Sequence, residues 1–201
     1  MSDAEKTHEL IKTRRSIRRF KTDPIPEDVL DRIIEAALWA PSAMNRQNWK
    51  FYVLTEEMRD RLANIHQPLF TEQEDKIREK YGEEGVEKRR YLYTDLGGAP
   101  VAIACFTDFN NEEQKLRDII SAALASENIA LAAWSEGIGS LMMTSSLAMT
   151  DEISFLCGVD QNKRALVMIM LLGYPDENPD PPERRKKRVV KATTPQDIRN
   201  A

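Results

Sequence analysis

A layered α+β or α/β fold, with helices on both faces of a central sheet, follows from three observations on the 201-residue chain. Helical and strand patterns alternate along its length. The run Val101-Ala102-Ile103-Ala104-Cys105-Phe106 is wholly apolar, as a strand buried on both faces should be. The stretch 113–136 holds Ala122, Ala123, Ala125, Ala130, Ala132 and Ala133, so a neighbour can approach it closely and a central helix is expected. The length fits one domain, residues 1–201, with residues 66–96 as a variable, lid-like excursion.

Taken in order, Ala4 to Thr13 reads as a short helix. After Pro24-Ile25-Pro26, the residues Val29, Leu30, Ile33, Ile34, Ala37 and Leu38 recur at helical spacing. Pro26 suits the start of that helix and Pro41 marks its end. Trp49 to Leu54 is aromatic and β-branched, hence a strand. Thr55 can cap a helix running through Ile65. Residues 71–90 are dominated by Glu, Lys and Arg and read as a solvated helix with i,i+4 ion pairs. The strand at 101–106 follows, then the long helix from about Glu113 to Glu136. Leu116, Ile119, Ile120, Ala123, Ala130, Leu131 and Trp134 are its expected apolar anchors, and Gly137 its C-terminal stop. A short strand at Ser140 to Met143, a helix from Thr150, and a strong strand from Ala165 to Leu172 complete the pattern, halted by Gly173-Tyr174-Pro175.

Composition excludes several classes. Lys and Arg number 29 against 33 Asp and Glu, a net charge of -4, where a nucleic-acid binder should lean basic. No apolar run approaches the roughly 18–20 residues of a membrane span. The opening MSDAEKTHEL lacks the order of a signal peptide, so a cytoplasmic location is expected. Two cysteines and two histidines supply neither a disulfide framework nor a Cys- or His-based metal centre, and a Ser-His-Asp triad would have to use His8 or His66. Cys105 reads as buried and inert, and the methionines 142, 143, 149, 168 and 170 as core.

The densest chemistry lies at Arg14-Arg15-Ser16-Ile17-Arg18-Arg19-Phe20. If extended, this segment puts Arg14, Ser16 and Arg18 on one face and leaves Ile17 free to enter the core. Guanidinia flanking a hydroxyl make a phosphate clamp; a basic surface turn or a nuclear-import-like patch is the other reading. Residues 41–49, PSAMNRQNW, gather polar side chains suited to the edge of a planar heterocycle, or equally to a turn rich in side chain–backbone bonds. Gly137-Ile138-Gly139-Ser140 lacks the third glycine of a dinucleotide loop and follows a helix, and no GxxxxGK[ST] occurs. From Arg184 to Lys191, six of eight residues are basic. They form a solvated tail, an RNA- or lipid-attracting segment, or a further cation for the phosphate that Arg14 would meet.

In this order the pieces resemble the nitroreductase family of FMN-dependent oxidoreductases, over roughly Leu10 to Val190. The carrying residues are RRSIRRF at 14–20, EDVLDRIIEAALWAPSAMNRQNWKF at 27–51, GGAPVAIACF at 97–106, SENIALAAWSEGIGS at 126–140 and LLGYP at 171–175. The pairing of RRSxRxF with PSxxNxQxW at this spacing is specific; residues 71–90 match least. The resemblance implies a nitroreductase-like α+β fold of three α/β/α layers, a mixed central sheet wrapped by helices, and an intertwined homodimer with two FMN at its interface. Arg14 and Ser16 would meet the ribityl phosphate, Arg15 the ribityl chain, and Arg18 the pyrimidine edge. Pro41, Ser42, Ala43 and Asn45 would come from the partner subunit, with Gln47 in the same motif. A backbone N–H near Met143-Thr144 would face flavin N5, and Arg185 or Lys187 would add a late cation at the phosphate. Asn48 stands where the family usually has proline, which frees a backbone N–H and loosens the turn.

The activity so implied is ping-pong transfer of a hydride from NADH or NADPH through the flavin to a nitroaromatic, quinone or similar small acceptor. The cofactor carries the chemistry, so no catalytic side chain is required. The alternatives are different flavin chemistry on the same fold, such as reductive dehalogenation or flavin destruction, and an FMN-binding storage or sensor protein.

Overall fold

The computed structural model describes residues 1–185. Nine regular elements follow one another: α1 (Asp3–Thr13), α2 (Glu27–Leu38), β1 (Trp49–Leu54), α3 (Glu56–Asp95), β2 (Val101–Asp108), α4 (Glu112–Ser135), β3 (Gly139–Met143), α5 (Thr150–Leu156) and β4 (Arg164–Gly173). The four strands form one sheet in the order β1-β2-β4-β3, and every neighbouring pair is antiparallel. The parallel part of the expected mixed sheet is the single bridge between Ser16 and Ser140.

Strand alternation divides the core into two layers. From β2, Ala102, Ala104 and Phe106 pack with Leu62 of α3 and Ile153 of α5. Val101, Ile103 and Cys105 pack the other way, with Ile33 and Ala37 of α2 and Ile129 and Ala133 of α4. β2 is buried along nearly its whole length, as its unbroken apolar run requires.

The long helix α4 corrects one expectation. Its buried face is Asp118, Ser121, Ala122, Ala125, Ser126, Ile129, Ala130 and Ala133. Two expected anchors, Leu116 and Ile120, are 64% and 53% exposed. Small residues let α4 lie close to the sheet and to α2, and the large side chains at 116 and 120 point away. Gly137 ends the helix in the left-handed region at φ 76°, and Ile138 N–H donates to the Ala133 carbonyl. Arg32 on α2 pairs with Asp28 and with Glu136 just past α4, which ties the two helices at one end.

The second correction is α3. Thr55 precedes it as expected but makes no side-chain cap, and the helix passes Ile65 and Pro68 to reach Asp95. Gly82 (φ 68°, ψ -175°) breaks it into two arms, residues 56–81 and 83–95, folded back on each other. Phe70, Ile77 and Val86 form a small core between the arms, with Tyr93 packed against it. Around that core lie the expected ion pairs, Arg78 to Glu74 and Lys88 to Glu84.

Candidate functional site

The segment after α1 is laid along the exposed edge of β3. Ile17 N–H donates to the Ser140 carbonyl (3.0 Å), Phe20 N–H to that of Gly97 (2.8 Å), and Lys21 N–H to that of Tyr174 (2.8 Å). Ile17 and Phe20 are buried, at 1% and 2% exposure. Two glycines make room. A Cβ at Gly139 would stand 2.8 Å from Ile17 Cγ1, and one at Gly97 would come closer than 3.0 Å to the Arg18 carbonyl oxygen. Arg18 is left exposed and Arg14 and Ser16 half-buried. Ile17 and Phe20, three residues apart, are both buried because the segment meets its neighbours through single bridges at Ser16 and Phe20 and does not run as one regular strand.

The guanidinia differ in their partners. Arg14 Nε lies 3.4 Å from a Glu127 carboxylate oxygen but is misaligned for a hydrogen bond, so that nitrogen is buried and unbonded. Arg15 donates to the carbonyls of Lys12 (2.7 Å) and Arg14 (2.9 Å), closing the end of α1. Arg18 donates from its backbone to Glu177 (2.5 Å) and from its side chain to the Ser16 carbonyl (3.2 Å). Arg19 pairs with Asp176 at 3.0 Å.

Arg18, Met143 and Thr144 line one cavity of about 870 Å³. Its floor is the end of β3 and the turn to Ser145. Its far wall is the second arm of α3, including Arg89, Tyr91 and Tyr93. The sequence sets residues 66–96 apart as a lid-like excursion but marks none of these as site residues, because a charged helical stretch looks like solvated surface until the fold at Gly82 turns it back. Glu177 and Pro179 beyond β4 also reach the cavity. Arg14, Arg15 and Ser16 lead to it along the strand edge without lining it.

Pro41, Ser42, Ala43, Asn45 and Gln47 lie elsewhere, in a loop packed on α4. Ala43 N–H donates to Ser121 Oγ (3.2 Å), Gln47 N–H to Ser42 Oγ (3.0 Å) and Gln47 Nε2 to Asn45 Oδ1 (2.9 Å). Arg46 reaches the buried Asp118 carboxylate. Met44, Asn45 and Gln47 all have φ near +50° (56°, 54° and 49°), which side-chain-bearing residues rarely adopt and which costs about 1–3 kcal/mol each. Such strain persists only where surrounding bonds impose it; Glu56 and Leu96 share the conformation elsewhere, but only this loop gathers three such residues. Asn48 ties the turn to the end of β2: its side chain donates to the Asp108 carbonyl (2.5 Å) and its own carbonyl accepts Asp108 N–H (2.8 Å), while its Oδ1 is buried without a partner. Arg185 is exposed at the end of the described residues, and Lys187 lies outside them.

His66 is fully buried, with Nδ1 2.8 Å from the Leu62 carbonyl and Nε2 2.8 Å from Ser146 Oγ. The carbonyl can only accept, so Nδ1 carries the proton and Nε2 accepts from Ser146. The Leu62 carbonyl holds the nitrogen that the carboxylate of a Ser-His-Asp triad would hold, so the arrangement differs from such a triad. Its burial holds the imidazole below its ordinary pKa. The pair anchors α3 to the turn after Thr144. Burial raises both thiols, Cys105 to about 12 and Cys157 to about 11, which leaves neither as a thiolate at neutral pH.

Comparisons with known proteins agree with this architecture. The model of the Nitroreductase family matches residues 11–174. YfhC of Bacillus subtilis (strain 168), provisionally named an NAD(P)H nitroreductase, is 29% identical over 174 residues, covering 86% of each chain. Iodotyrosine deiodinase 1 of Rattus norvegicus is 27% identical over 196 residues, 92% of this chain and 67% of that one. Among solved structures, the FMN-dependent nitroreductase NfnB from Mycobacterium smegmatis in complex with NADPH superposes with a TM-score of 0.79 at 22% identity, over 95% of this chain and 99% of that one. The family match spans the strand-edge segment, the strained loop, both arms of α3 and the whole sheet, and on it the chain belongs to the Nitroreductase family.

Proposed function

We propose that the protein is an FMN-dependent oxidoreductase that takes a hydride from NADH or NADPH and passes electrons to a nitroaromatic, a quinone or a similar small acceptor. The observation that carries this reading is the convergence of Arg18, Met143 and Thr144 on one cavity, in a chain of the Nitroreductase family. Its volume, about 870 Å³, lies within the range of cofactor sites, ~300–1,000 Å³.

The residues present fit the cofactor. Arg14 Nε is a buried donor without a hydrogen-bond partner, beside a serine hydroxyl and a second guanidinium on one strand edge, which suits a phosphate. FMN, when bound, supplies hydride chemistry at N5. Arg14 and Ser16 would hold the phosphate, and Arg15 the ribityl chain. Arg18 would stand near the pyrimidine edge and favour negative charge there. The backbone at Met143-Thr144, held from below by Ser146 and His66, would face N5.

The site is shared between two copies in this reading. Trp39, Met44, Leu116, Ile120 and Leu124 are 81%, 86%, 64%, 53% and 45% exposed. Leu116, Ile120 and Leu124 recur every four residues on one face of α4, beside the loop 41–47 that packs on the same helix. Exposed apolar surface of this extent marks an interface. A second copy covering it would bring the strained loop, with Pro41, Ser42, Ala43, Asn45 and Gln47, to the partner's cofactor.

A yellow protein that bleaches with NADH or NADPH without oxygen, and recovers on addition of a nitroaromatic or quinone, supports the reading. A colourless protein that takes up no added FMN overturns it. Sedimentation at twice the chain mass supports the shared site, and a monomer that binds FMN tightly refutes it. The deiodinase relative supports reductive dehalogenation as a second reading. Halide release from an iodinated phenol, with no turnover of nitroaromatics, would favour it.

A further inference from the structure

Beside the cavity just described lies a second groove, of about 550 Å³, between the arms of α3. Its cations are Lys76, Lys80 and Arg89, against one carboxylate, Glu72. Arg89 and Tyr93 line both this groove and the cavity that reaches Thr144, so the two adjoin.

These cations differ from the others on the hairpin. Arg78 contacts Glu74, Asp75 and Glu83; Arg90 contacts Glu74 and Glu87; Lys88 takes Glu84. Among the described residues, Lys76, Lys80 and Arg89 have no carboxylate within ion-pairing distance, in the most carboxylate-rich stretch of the chain. Arg89 is also held in place. Its guanidinium lies 3.8 Å from the centre of the Tyr81 ring, and Nη1 donates to the Gly85 carbonyl at 3.3 Å. Gly85 permits this fold, since a Cβ there would come within 3.0 Å of Tyr81 Cβ. A planar guanidinium fixed on an aromatic face, with two ammonium groups nearby, matches a phosphate monoester, whose charge at neutral pH is close to -2.

We propose that this groove receives the adenosine 2′-phosphate of the electron donor and makes NADPH the preferred donor. This rests on the oxidoreductase reading, which requires the donor's nicotinamide end to lie in the adjoining cavity. The groove lies across Arg89 and Tyr93 from that cavity, which puts it beside the place where the rest of the same molecule would extend. A preference for NADPH is then set by the three cations at the far end, away from the residues that would hold FMN.

The test titrates the flavin-loaded protein with adenosine 2′,5′-bisphosphate and with adenosine 5′-phosphate by calorimetry, and compares KM for NADPH and NADH. The bisphosphate should bind about 10- to 100-fold more tightly, as one or two charge-assisted contacts imply, and KM should favour NADPH similarly. Lys76→Ala/Lys80→Ala, both on exposed positions, should cancel most of that advantage while flavin content stays at the wild-type level. Equal affinity of the wild type for the two probes overturns the inference, and that comparison needs no variant. So does a preference that survives the double substitution, or a loss of flavin in the variant, which would assign these cations to FMN. A wild-type protein that holds no flavin overturns the oxidoreductase reading and this inference with it, whereas flavin bound with no donor preference overturns the inference alone.

Discussion

Substituting alanine at Gly97 and at Gly137 separates backbone strain from the close packing that positions the candidate site. Both glycines sit in the left-handed region, at φ 65° and 76°. An L-residue there costs about 1–2 kcal/mol. At Gly137 an added Cβ meets nothing within 4 Å, so Gly137→Ala should cost only that strain. At Gly97 the Cβ would press into the Arg18 carbonyl, and Gly97 itself accepts the Phe20 N–H at 2.8 Å. Backbone must move, and forced overpacking adds about 1–3 kcal/mol. Gly97→Ala should therefore lose about 2–5 kcal/mol in total, a fall in Tm of roughly 4–20 °C against about 2–8 °C for Gly137→Ala. Thermal melts of the flavin-free proteins at one protein concentration read this difference, since bound ligand and association would both shift Tm. The two should also part in function: Gly97→Ala displaces the segment that carries Arg18, so FMN affinity should fall there and hold at Gly137→Ala. Equal melting losses, or unchanged FMN binding by Gly97→Ala, would show that the glycine does not clasp the 18–20 segment.

Three further outcomes are expected. Arg14→Ala should weaken FMN binding about 10- to 100-fold, the value of one charge-assisted phosphate contact, and an unchanged fluorescence titration would remove Arg14 from the phosphate. Arg18→Gln should lower the two-electron midpoint potential by about 20–45 mV if the cation favours reduced over oxidised flavin by about 1–2 kcal/mol; spectroelectrochemistry at equal flavin occupancy measures it, and an unmoved potential refutes the placement. The third concerns pH. Burial holds His66 below its ordinary 6.5, so the unfolded chain binds more protons than the fold as pH drops past that value. Its share of stability is intact above about pH 6.5 and declines on acidification; melts between pH 7.5 and 5.5 should show a shallower decline for His66→Gln than for wild type, and identical slopes would refute the assignment.

Strands were the most legible part of this fold, for a physical reason. The run from Val101 and the run to Leu172 are buried between the two helical layers, and burial writes itself directly into composition. Trp49–Leu54, at the sheet edge and buried only at its two ends, was legible from its aromatic and β-branched residues instead. Helix existence was legible too, but helix faces were not. On α4 the large apolar residues Leu116 and Ile120 read as anchors, yet alanines and serines face the core, because only small side chains allow the close approach to α2 and the sheet. A large apolar residue on a helix announces that something must cover it, without saying whether that partner belongs to the same chain.

The same distinction governs the candidate site. The strand-edge segment was readable in part because its logic is local: alternation about the buried Ile17 leaves Ser16 and Arg18 on its other side, though it does not by itself bury Phe20, three residues on. The cavity wall was not readable, because its logic is a fold-back. Tyr93 lies near Ile77 and Phe70 only because Gly82 reverses the helix, and no periodicity within residues 83–95 encodes that return. Charge pairing then offers a finer criterion than charge density. Many of the hairpin's acids and bases pair at three- and four-residue spacing, so its composition describes solvated surface. The informative residues are Lys76, Lys80 and Arg89, which that pairing leaves over, and they become visible only once each partner has been located in space.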